Sequence, residues 1–70
     1  MIVKPGKIVN GPDNQIFVII SVNNSFNKFD GLLQLINLKR CNKFGKLIAG
    51  FEYRITLNFF LANFTEFQDN

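Results

Sequence analysis

Nothing outside an apolar core can staple this chain into a fold. Cys41 is the only cysteine and there is no histidine, so neither an intrachain disulfide nor a zinc site of the usual Cys/His type can form. Seventy residues leave room for one domain, spanning residues 1–70. A domain of that size buries only roughly 60% of its unfolded surface. The core is therefore thin, and apolar packing holds it or a partner completes it. An apolar content of 47% suits a folded chain rather than a disordered one. Nine phenylalanines bring large burial area at low conformational cost, and rings that the core cannot take become binding surface.

The longest unbroken apolar run, residues 16–20, is far short of the ~20 residues a membrane helix needs. The opening Met1-Ile2-Val3-Lys4-Pro5-Gly6 lacks the apolar stretch of a signal peptide. On that basis Asn23-Asn24-Ser25 and Asn63-Phe64-Thr65 are chance matches to the glycosylation pattern. A free thiol without an export signal points to a reducing cytoplasm. Asn, Ile, Lys and Phe make up 33 of the 70 residues. Their codons are AT-rich, which points to an AT-rich coding source such as a phage, a mobile element or an AT-rich bacterium.

Along the chain, Lys4-Pro5-Gly6-Lys7 reads as a turn and Ile8-Val9 as a short strand. Asn10-Gly11-Pro12-Asp13-Asn14 is the strongest loop signal. Residues 15–22 form the clearest strand, with Ile16, Val18, Ile20 and Val22 pointing one way and Phe17 and Ile19 the other. Residues 23–31 are polar and read as a long loop carrying Phe26 and Phe29. Residues 32–39 fit a strand or a short helix, and Gly31 together with the short length favours strand. Residues 40–46 read as a hairpin connection. Residues 51–59 then alternate, with Phe51, Tyr53, Ile55, Leu57 and Phe59 toward the core and Glu52, Arg54, Thr56 and Asn58 outward. In the tail, Phe60, Leu61, Phe64 and Phe67 fit a short amphipathic helix capped by Asn58, or an extension of the strand. No internal repeat or linker stands out.

Short strands separated by turn signals predict a mainly β fold. The expected form is a small antiparallel, SH3-like barrel or curled sheet with a short C-terminal helix or strand extension. The opening Lys4-Pro5-Gly6-Lys7-Ile8-Val9, a loop, then Phe17-Val18-Ile19-Ile20-Ser21 is similar to the start of SH3-like barrels, including MazF/PemK-type ribonucleases. The similarity covers about the first third of the chain. In those ribonucleases an arginine-proline pair typically precedes the second strand. Gln15-Ile16 stands at that place here, so the resemblance implies an architecture and no catalytic residues.

Catalysis has little to work with. The commonest general base is absent, and Cys41 has no histidine to activate it, although Lys39, Arg40 and Lys43 beside it would lower its pKa. The carboxylates Asp13, Asp30, Glu52, Glu66 and Asp69 are scattered, and Asp13 and Asp30 read as turn residues. The chain is thus expected to be no enzyme and to hold no metal or cofactor. The binding signal is Lys39, Arg40, Lys43 and Lys46 with Phe44 among them, which Lys28 and Phe29 could join from the other long loop. With a net charge of +3, cations beside a ring suit RNA or single-stranded DNA. They equally suit steering toward an acidic protein surface, with surplus rings as anchors. The leading expectation is a small protein-binding regulator or inhibitor, of phage or mobile-element origin, acting by occupying its partner. The alternative is a basic barrel that binds nucleic acid. No membrane is expected as a partner, and an open sheet edge allows a homo-oligomer.

Overall fold

In the computed structural model, residues 1–29 and 31–68 are described. Five strands run β1 (Ile8–Asn10), β2 (Ile16–Asn27), β3 (Gly31–Cys41), β4 (Leu47–Thr56) and β5 (Thr65–Glu66), with one helix, α1 (Leu57–Asn63), before the last strand. The sheet is antiparallel, in the order β4-β3-β2-β1-β5, and among the described residues its edges do not pair, so it is not closed. The expected turns at 4–7 and 10–14 are present: Lys7 N donates to Lys4 O, and Pro12–Asn14 form one tight turn. No described helix is long and apolar enough to cross a membrane.

The core lies on one face of the sheet, under α1. Val9, Phe17, Ile19, Ile36 and Leu38 come from β1 to β3, and Phe60 and Phe64 from the helix and its C-cap. Phe60 and Phe64 stack with ring centroids 5.0 Å apart, and Phe64 meets Phe17 edge-on at 5.5 Å. Gly11 makes that contact feasible. A Cβ there would lie 2.7 Å from both Phe17 and Phe64, closer than carbon atoms pack.

Strict alternation along residues 15–22 does not hold. Ile19 faces Leu38 and Ser21 faces Asn37, so β2 spends an extra residue, Ile20, where β3 spends none. This bulge shifts the phase. Phe17 and Ile19 point to the core before it and Val22 packs there after it, while Ile20 is left exposed.

Residues 23–27 are strand rather than loop. Asn23 through Asn27 pair with Leu35 through Gly31 in continuous register. Asn and Ser are weak strand formers, yet the long partner strand β3 supplies a ladder for their backbone groups. Cross-strand pairing carries β4 only as far as Leu35 opposite Thr56. Beyond that point β2 and β3 project as a two-stranded arm, and the molecule measures 42 × 22 × 20 Å.

The alternation of residues 51–59 also fails in part. The strand begins at Leu47 and ends at Thr56, and four residues, 48–51, stand where β3 has Arg40 alone. Phe51 is 79% exposed, Tyr53 is partly exposed and Phe59 lies on the helix instead. Thr56, not Asn58, caps α1, its Oγ1 accepting from Phe59 N at 3.1 Å. Phe67 falls beyond the helix. β5 is tied back by Lys7 Nζ to Glu66 Oε1 at 2.8 Å.

Two stability predictions follow from these contacts. Phe60→Ala removes the central fully buried ring and should cost about 3–5 kcal/mol, and Gly11→Ala should cost about 1–3 kcal/mol through overpacking, both read by urea denaturation. The hydrogen bond and charge of Lys7 hold the Glu66 carboxyl below the usual range. That tie is therefore fully present above the ordinary carboxylate pKa and fades as pH falls through the lowered one. Because Glu66 is exposed and screened, Glu66→Gln should flatten this acid limb of the stability curve only slightly, by thermal melts at stepped pH.

Candidate functional site

Both turns that bracket β3 are built from the same tripeptide. In Asn27-Lys28-Phe29 the Asn27 Oδ1 accepts from Phe29 N at 2.8 Å, and in Asn42-Lys43-Phe44 the Asn42 Oδ1 accepts from Phe44 N at 2.9 Å. An asparagine side chain that mimics a backbone turn explains its place in each. In both, the lysine ammonium sits 5.2 Å from the centroid of the following ring. The rings are 84% and 79% exposed. The recurrence of Asn-Lys-Phe fifteen residues apart was the sequence signal for this pairing, and the expectation of no repeat missed it.

These turns lie at opposite ends of β3, a strand of 11 residues, or roughly 35 Å. Lys28 and Phe29 thus do not join the basic segment. Within that segment the side chains also part company. Arg40 pairs with Phe17 on the core face and Lys39 with Val18 on the other. Arg40 is half-buried, and its Nε is buried without a hydrogen-bond partner among the described residues. Lys43, Phe44 and Lys46 stay together on the 42–46 turn, where Asn42 Oδ1 also accepts from Lys46 N at 3.0 Å.

The arm exposes large apolar side chains. Phe26 and Leu32 face each other across the strands and are 77% and 70% exposed. With Phe29 at the tip they make one apolar end. Between Val22 and Leu38 the sequence holds only two charged residues, Lys28 and Asp30.

Cys41 is buried on β3, and burial pushes its thiol up rather than down, so the lowering expected from nearby cations is overturned. Of the five carboxylates, Asp30 and Asp69 lie outside the described residues, and Asp13, Glu52 and Glu66 stand on separate elements. Among the described residues no three His, Cys, Asp or Glu side chains cluster as metal ligands.

A second feature, which the sequence reading did not reach, is a cavity of about 220 Å³ between α1, the Pro12–Asn14 turn and the sheet. Its floor is the buried Phe17, Leu38 and Phe64, and its walls are Ile55 and the half-exposed Tyr53 and Phe59. Tyr53 meets Phe17 edge-on at 5.7 Å. Asp13 sits at the rim with φ 60, and Asn14 follows at φ 59. Two successive non-glycine residues in the left-handed region are uncommon, though Asp and Asn tolerate it best.

The buried, neutral thiol makes Cys41 inert. Ellman's reagent should label it far more slowly in the folded protein than in denaturant. Labelling at equal rates would place Cys41 on the surface. No protein-family model, no curated protein and no solved structure matches the chain.

Proposed function

We propose that this chain is a small non-enzymatic protein-binding module, a regulator or inhibitor that acts by occupying its partner, and that the β2–β3 arm is its anchor. The observation that carries this reading is the uncovered apolar end formed by Phe26, Phe29 and Leu32. Rings held out on paired strands with no layer behind them do not stabilise the monomer; their burial awaits another surface. Low charge combined with aromatic side chains is the composition of an interface core. Lys28 at the tip and Lys43 and Lys46 at the far turn add a positive field that steers the domain toward an acidic partner. A reducing cytoplasm, and an AT-rich phage or mobile element as source, belong to the same proposal.

The architecture supports an open relative of the SH3-like barrel: β5 returns to lie beside β1, and α1 bridges the way from β4 to β5. The alternative, binding of RNA or single-stranded DNA by Lys39, Arg40, Lys43, Phe44 and Lys46, has less support. A backbone-tracking groove needs its cations on one side, and Lys39 and Arg40 point to opposite faces.

Affinity capture from the natural host, with nuclease treatment, separates the two. The wild-type chain should retain a defined protein that survives nuclease, and Phe26→Ser/Phe29→Ser should lower its recovery at least about tenfold. The variant itself should melt as wild type does, since both rings are exposed. Recovery of nucleic acid alone, or equal capture by the variant, would contradict the proposal.

A further inference from the structure

We infer that the cavity beneath Tyr53 and Phe59 is a recognition site for a small organic cation, an alkylammonium group with a compact apolar body. This goes beyond the arm-mediated binding proposed above and involves none of its residues. Four rings, Phe17, Tyr53, Phe59 and Phe64, line the cavity. Aromatic faces attract a cation through their quadrupole, most strongly where water is excluded. Charge complementarity fixes the sign of the occupant. Among the described residues Asp13 is the only carboxylate on the lining, and no lysine or arginine lines it. Asp13 makes no hydrogen bond or ion pair among the described residues, so its charge is free to meet a ligand.

Size narrows the class. A volume of about 220 Å³ is below the roughly 300–1,000 Å³ of pockets for drug-sized ligands. It suits a single headgroup. The construction of the site is also specific. Gly11 lets the two floor rings, Phe17 and Phe64, approach, and the left-handed turn at Asp13 and Asn14 brings Asp13 to the cavity lining. Backbone held in a sparsely populated region accumulates at ligand-binding positions.

Choline chloride is the probe, titrated into isotopically labelled full-length protein and followed by NMR. Its neutral isostere 3,3-dimethyl-1-butanol is the comparison. Choline should bind saturably with a Kd of about 1–10 mM, with shifts concentrated at residues 12–15, Phe17, Leu38, Tyr53, Ile55, Phe59 and Phe64. The alcohol should bind at least about tenfold more weakly. Asp13→Asn should weaken choline roughly five- to tenfold while the melting temperature holds, because asparagine tolerates the left-handed backbone at least as well as aspartate. Tyr53→Leu/Phe59→Leu keeps apolar volume but removes two ring faces, and should abolish the preference for choline over the alcohol. No saturable shift at these residues, equal binding of the alcohol, or an Asp13→Asn protein that binds choline as wild type does would each overturn the inference. The Phe26→Ser/Phe29→Ser arm variant should bind choline unchanged, which separates this site from the arm.

Discussion

The stack of Phe60 on Phe64, set edge-on against Phe17, is the contact on which the rest of the molecule depends. Among the described residues of this 70-residue chain, the open five-stranded sheet has no second sheet to cover it. The seven-residue helix α1 is the only other layer among the described residues, and it reaches the sheet through Phe60 and the C-cap residue Phe64. Thr56 starts that helix at the last residue of β4, so the chain passes from strand to helix without a loop and α1 is set directly over the core.

A lid of two turns covers only part of a long sheet. At 1.5 Å per residue a helix this short spans about 10 Å, whereas β2 and β3 run roughly three to four times as far. What lies under the helix becomes core: Val9, Ile19, Ile36 and Leu38 are almost completely buried. Apart from Asn37 and Cys41, which are buried on β3 outside that cluster, the large side chains beyond the helix are left exposed. The exposure of Phe26, Phe29 and Leu32 on the arm and of Phe51 on the edge strand thus has one geometric cause. The cavity borders the same lid, with Phe59 of the helix and Tyr53 of β4 both on its lining.

Much of the strand content was legible because it depends on local pattern. The Ile- and Val-rich run of β2, the turns at 4–7 and 10–14, and the preference for strand over helix in β3 all follow from periodicity and turn chemistry. The failures share a physical reason. Periodicity assumes regular pairing, and the bulge at Ile20 changes phase in a way no single strand reveals. Asn23, Asn24 and Ser25 have loop-like propensity, but the partner strand decides their conformation. Burial of Phe51 was expected from alternation, while exposure is set by how far α1 reaches, which is a tertiary fact. For the candidate sites, Phe29, Phe44 and the lysines were visible as residues. Their separation to opposite ends of β3 was not, and neither was the role of Asp13, which resembles any turn aspartate until the cavity beside it is seen.

Native-state hydrogen exchange tests the central claim most directly, namely that one small helical lid divides this sheet into a covered core and an uncovered arm. Amides of Phe17, Ile19, Ile36 and Leu38 should exchange only through global unfolding, and those of residues 24–33 should exchange orders of magnitude faster through local opening. Equal protection along the whole length of β2 and β3 would contradict the account, because it would mean that the arm is already covered.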